Sequence, residues 1–335
     1  MHRIDEGPAY TKGNSFRAIA ETRARKYRAD NLQLRGYDRW GHVLTKEDAD
    51  SGWNFLPSLK DDILREVKKR ADKGKGVDFD RTSRNMLSSQ AMCFNLFAPL
   101  NRDRRLAAEL LGSFIDGIGS VDDMEYEHTP HNSIFGDQSG TAGVDCDALF
   151  DYTDSHGRKG LAIIETKYVE PEFSLCGFRR SDQKDPCPTS TIINQDYSNC
   201  RYHYKKNYNY WRIAEESGVY RMEEIRSRPC PFGGPLWQLW TNLSMAYALA
   251  RDKGYSAFTY AVICPEGNTE LTQGNRVFSD FASLLRMPDV FKVIHLEDIG
   301  RILMNESSLQ KPELWVSEFV DRYCWGVAET RSSRQ

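Results

Sequence analysis

The segment Leu161-Ala162-Ile163-Ile164-Glu165-Thr166-Lys167 constrains this chain more than any other. An unbroken apolar run is what a central strand covered on both faces requires, because side chains alternate across a sheet. Glu165 and Lys167 follow it directly and share the parity of Leu161 and Ile163. Ending such a strand in an acid and an amine is costly unless both find partners or a task. The preceding segment offers one partner. Asp147 opens a second strand (147–154), and Ser155-His156-Gly157 reads as the turn joining it to 160–168. Pairing as a hairpin brings Asp147 to the sheet end that holds Glu165 and Lys167. Asp145 shares its parity and is a rival for the same role.

The surrounding pattern predicts an α/β domain. Helical periodicity covers 14–30, where Arg17, Arg23, Arg25, Lys26 and Arg28 make the helix basic, and 57–71, with Leu59, Ile63, Leu64 and Val67 as its apolar stripe. A third helix, 86–100, is expected to stop at Pro99, and a fourth runs 103–115. Strands are expected at 124–128, 147–154, 160–168, 257–264 and 291–296, with helices at 235–250, 278–286 and 312–325. That order suits a mixed sheet flanked by helices on both faces. The expected division is a helical N-terminal region (1–85), a core (86–300) carrying a cysteine-containing insertion (170–232), and a C-terminal helix and tail (301–335).

Two close carboxylates repel each other, and a divalent cation relieves the repulsion. An all-oxygen set suits Mg²⁺ or Mn²⁺, with water and phosphate oxygens completing the shell. Glu127, on the strand before the hairpin, is an additional candidate ligand. Gln90, Gln238 and Asn242 are polar residues in apolar helices and are candidates to line a cleft. Between Cys200 and Trp211, Arg201, Lys205 and Lys206 interleave with aromatics that include Tyr204 and Tyr208, a composition fit for phosphates and bases.

Asp147, a hairpin and Glu165-Thr166-Lys167, within the element order αβββαβ, resemble the signature of the PD-(D/E)xK nuclease superfamily. The segments 54–56, 88–100, 125–130 and 160–168 look like a bacterial restriction-endonuclease-like family within it, and the likeness runs from about Phe16 to Tyr323. It implies a restriction-endonuclease-like core, Asp147 and Glu165 as metal ligands, Lys167 as catalytic, and metal-dependent hydrolysis of DNA leaving a 5′-phosphate. Cys146 stands where the family name has proline. A homodimer would supply two sites for cutting two strands.

Composition limits the alternatives. A formal net charge of −3 excludes a polybasic coat, so nucleic-acid contact must come from a local patch. No apolar run reaches the roughly 20 residues that span a bilayer. The N-terminus lacks the apolar core of a secretory signal, so the expected location is cytoplasmic. Cys176, Cys187, Cys200 and Cys230 fall in the insertion without the tight C-x2-C spacing of a zinc or iron–sulfur site, which favours scattered buried thiols. Two rival readings stay open: an inactive nuclease fold kept for nucleic-acid binding, and a zinc or iron–sulfur protein organised by that insertion.

Overall fold

The computed structural model describes residues 4–74, 76–136, 144–179, 187, 192–305 and 313–325. Five strands form one sheet: β1 Ile118–His128, β2 Cys146–Asp154, β3 Lys159–Thr166, β4 Ala257–Cys264 and β5 Phe291–His295. Their spatial order equals their chain order. The first three form an antiparallel meander, and β4 and β5 are added in parallel to β3. Each parallel step needs a crossover. The insertion and helix α5 (Leu236–Asp252) bridge β3 to β4, and α6 (Arg276–Ser283) lies between β4 and β5.

β3 is the central strand that its apolar run demands. Gly160 through Thr166 are all buried, and alternate residues enter opposite cores. Ala162 and Ile164 pack with one cluster, Leu161 and Ile163 with the other. Burying each isoleucine contributes roughly 1.5–3 kcal/mol. The first cluster takes in α1 (Phe16–Asp30), α2 (Lys60–Asp72), α3 (Ser89–Arg102), α4 (Arg104–Gly112) and two C-terminal helices, α7 (Leu296–Asn305) and α8 (Leu314–Tyr323). The second takes in the insertion, α5 and α6. The expected mixed sheet with helices on both faces is the architecture observed.

Two departures from the expected elements have local causes. Helix α3 runs through Pro99 to Arg102. A proline in the last turn deletes one donor but keeps its own acceptor, and the Asp103 N–H donates to the Pro99 carbonyl at 3.0 Å. Strand β1 begins at Ile118 instead of 124. It is an edge strand with register shifts against β2 between Ile118 and Ser120 and between Val121 and Asp123, which break the alternation that a sequence reading relies on. In the basic helix α1, Arg28 is fully buried, and its guanidinium donates to the carbonyls of Asp5, Glu6, Leu34 and Gly41. That cation ties down the N-terminal segment.

A buried polar network joins the N-terminal segment, α3 and α8. The Asn54 amide donates to the carbonyls of Thr82 (2.7 Å) and Asn85 (3.0 Å). Arg322 donates to both the backbone and side-chain oxygens of Asn54. Asn95 accepts from the Leu56 N–H at 3.0 Å and donates to the Tyr323 hydroxyl at 2.9 Å. Replacing Asn54 with leucine leaves a buried guanidinium and two carbonyls short of partners. The variant should lose at least about 3 kcal/mol of unfolding free energy in urea. A loss under about 0.5 kcal/mol would contradict this role for the network.

Candidate active site

The β2–β3 ladder pairs Ala148 with Ile164. One residue further along, Asp147 stands opposite Glu165 at the sheet end that the sequence predicted. Asp147 is fixed there by Thr166, whose backbone N–H and hydroxyl both donate to Asp147 Oδ2 at 2.6 Å. Glu165 is buried and held from α5: Gln238 donates to Oε1 at 2.7 Å and Asn242 to Oε2 at 3.1 Å. These two residues lie four apart, on one face of α5. Lys167 Nζ is 2.7 Å from Glu165 Oε1.

Glu127 joins the same cluster. It takes a left-handed backbone conformation (φ 47°), so both Tyr126 and Glu127 are buried where a regular strand would alternate. Gln90 donates to Glu127 Oε1 at 2.9 Å and to the Gly76 carbonyl at 3.1 Å. Gly76 has φ 66°, and a Cβ there would come within 3.2 Å of Glu127 Oε2, so the N-terminal region approaches this carboxylate through a residue without a side chain. Asp145 is exposed at the mouth of the site, near enough to Glu165 to feel its charge.

The cluster is electrostatically frustrated. Burial, then the facing charge of Glu165, pushes the Asp147 carboxyl above its ordinary range. Burial, then Asp147, does the same to Glu127. Burial alone would lower the Lys167 amine, but Glu165, Glu170 and Asp147 outweigh it and hold Lys167 above its usual value. Lys167 is therefore a firm cation here. In that form it can pair with negative charge. Four carboxyl groups share one ammonium, and three of them, Asp145, Asp147 and Glu127, are held back from ionising, so the cluster can ionise fully only when a further positive charge joins its oxygen donors. That donor set fits a hard divalent cation, which needs only one or two carboxylates with water and phosphate filling the rest. Among the described residues, no group of three His, Cys, Asp or Glu side chains is already placed to hold a metal ion.

Of the residues singled out in the sequence, Asp147, Glu165, Lys167, Glu127, Gln90, Gln238 and Asn242 come together, with Asp145 at the margin. The aromatic and basic segment lies in the insertion. Tyr204, Lys205 and Lys206 are exposed there and Arg201 is half-buried. Tyr208 is buried and packs against Tyr202 and Tyr210 at ring distances of 5.7 and 5.6 Å, so its ring does not face solvent. Sequence reasoning passed over three residues: Thr166, which orients Asp147; Glu170, which bears on Lys167; and Ser174, whose N–H donates to Gln238 Oε1 at 3.1 Å. Thr166 could have been found as the residue between Glu165 and Lys167, whereas Glu170 and Ser174 carry no periodic signal.

A three-plus-two mixed sheet with an acid on each of two adjacent strand ends, and a lysine two residues beyond one of them, defines a PD-(D/E)XK-type nuclease fold. The comparison with known families agrees: the profile of the PD-(D/E)XK nuclease superfamily matches residues 13–325, and the chain belongs to that superfamily. No curated protein and no solved structure matches the chain. Among the described residues, no helix is long and apolar enough to cross a membrane.

The raised carboxyls make the sign of a pH effect predictable. Below about pH 4 they are protonated in both folded and unfolded chains. As pH rises further, the unfolded chain gives up these protons first, so the folded state pays the ionisation penalty and loses stability towards neutral pH. In EDTA, Asp147→Asn should melt higher than the parent at pH 8, and the difference should shrink towards pH 5. A difference that grows at low pH would overturn the electrostatic reading.

Proposed function

We propose that the chain is a divalent-metal-dependent nuclease that hydrolyses phosphodiester bonds, with DNA as substrate and endonucleolytic cutting of a restriction, defence or repair type. The observation that carries this reading is the strand-end cluster: Asp147 and Glu165 facing each other, each carboxylate oriented by hydrogen-bond donors, beside Lys167 paired to Glu165. Superfamily membership supports the reaction class. DNA over RNA, and cutting within a strand, follow from the resemblance to restriction-endonuclease-like proteins.

In this reading Asp147 and Glu165 hold Mg²⁺ or Mn²⁺, with Glu127 or Asp145 as an added oxygen donor. The ion supplies Lewis acidity at the phosphate and lowers the pKa of water beside it. Thr166 keeps one oxygen of Asp147 engaged and its carboxylate in place. Gln238 and Asn242 do the same for Glu165. Lys167, held charged by its carboxylate neighbours, stabilises negative charge growing on the phosphate oxygens. Tyr204, Lys205, Lys206 and Arg201 are the surface through which the insertion would touch nucleic acid, and a homodimer would bring two such sites to a duplex.

The test is incubation with plasmid, linear duplex, single-stranded DNA and RNA, in Mg²⁺ and in EDTA. Plasmid should be nicked or linearised in Mg²⁺ alone. Glu165→Gln and Asp147→Asn should each lose at least about 10³-fold, and Lys167→Met about 10²–10³-fold, with the fold retained by circular dichroism. Gln238→Ala should cost only about 10–100-fold, as expected of a residue that orients a ligand. Binding without cleavage, unaffected by EDTA, would favour the inactive fold; unimpaired cutting by Glu165→Gln would refute the site.

A further inference from the structure

The insertion after β3 holds four of the chain's eight cysteines, and the fold gathers residues that the sequence scatters over more than fifty positions. Arg179 is the hub. Its backbone N–H donates to the Cys176 carbonyl at 2.9 Å, and its guanidinium to the Cys230 carbonyl at 3.1 Å. The Cys187 N–H donates to the carbonyl of Phe178, next to Arg179. The Gly177 N–H donates at 3.3 Å to the hydroxyl of Tyr202, two residues past Cys200. Four separate positions of the chain thus meet, each bringing one cysteine. Cys176 and Cys200 are buried, and Cys187 and Cys230 are half-buried. None of the eight cysteines is in a disulfide.

We propose that Cys176, Cys187, Cys200 and Cys230 are the ligands of a thiophilic metal centre, either a zinc ion or an iron–sulfur cluster. Buried thiols are common as small apolar residues, but three features here go beyond packing. The thiols are electrostatic neighbours: Cys200 acts on the other three, and Cys176 on Cys230. The sulfurs of Cys176 and Cys230 each accept the backbone N–H of the residue two positions on, Phe178 and Phe232. The Arg179 guanidinium also lies beside Cys187 and Cys230. N–H donors and a cation stabilise thiolates, the form that binds metal, and do little for a neutral thiol.

Gly233 makes room for this arrangement, because a Cβ there would collide with the Arg179 side chain. In the metal-free chain burial raises Cys187 and pushes Cys176 up to about 11 and Cys230 to about 12. Each thiol that ligates therefore gives its proton to solvent. Among the described residues no group of three such side chains is already placed to hold a metal ion, so the proposal requires the thiols to move on ligation. The centre would brace the insertion against α5, where Phe232 stacks on Trp240 at 4.4 Å, two residues from the Gln238 that holds Glu165.

The experiment is metal and sulfide analysis of the full chain purified anaerobically, with its absorption spectrum, followed by Co²⁺ titration of chelator-stripped, reduced protein. Zinc at about one per chain, or iron with acid-labile sulfide and broad visible absorption, distinguishes the two forms of the proposal. Co²⁺ should produce an intense thiolate charge-transfer band. Cys200→Ser and Cys230→Ser should lose the metal and the band, while Cys264→Ala, outside the cluster, keeps both. Protein without zinc or iron that gives no such band, or a Cys200→Ser variant that retains the metal, would overturn the proposal. No readout depends on nuclease activity, so the result stands whatever the strand-end site does.

Discussion

The structure turns on a repulsion that the chain relieves only in part by itself. Asp147 and Glu165 face each other across adjacent strand ends, Glu127 is turned into the same space, and one ammonium answers them. Like charges at this depth are normally eliminated or matched, since an unmatched buried carboxylate costs several kcal/mol. Here the surroundings hold the carboxylates in place. Each receives directed hydrogen bonds that fix its orientation. A site built this way is pre-organised for a cation and uncomfortable without one.

Every layer of the fold contributes to that arrangement. The apolar run of β3 forces the strand into the middle of the sheet and so carries Glu165 to a buried end. Helix α5 crosses one face and presents Gln238 and Asn242. Helix α3 lies on the other and presents Gln90, while the Cys93 thiol lies 3.6 Å from the Asp147 carbonyl. The N-terminal segment reaches the cluster through Gly76. The insertion reaches it from the far side through Ser174 and Gln238. The buried network around Asn54 ties the C-terminal helix to the same body, so regions distant in sequence share one support for the site.

Most of this scaffold was legible in the sequence. β4 begins and ends where its apolar run does, and β2 and β3 differ from their expected bounds by one or two residues, because burial on both faces leaves a continuous signal. The edge strand β1 was half missed, since bulges and solvent exposure erase alternation. Helix α7 was missed altogether, although Leu296, Ile299 and Leu303 have helical spacing, because it follows β5 with no intervening turn signal. At the site, the Asp147–Glu165–Lys167 grouping could be read because hairpin pairing links residues through register. The hold of Thr166 on Asp147 and the turn of Glu127 depend on backbone detail that composition does not carry. The gathering of the cysteines was invisible for a related reason: their spacing follows no helical or strand period, and only tertiary contacts bring them together.

The most direct measurement of the central idea is calorimetric titration of Mn²⁺ into the metal-free protein at pH 8, compared with Asp147→Asn and Glu165→Gln in the same buffer. The account predicts a saturable site in the parent, accompanied by proton release, that weakens at least tenfold in each variant. Equal Mn²⁺ affinity in all three proteins would mean that these facing carboxylates do not hold the ion, and the account of the site would fail.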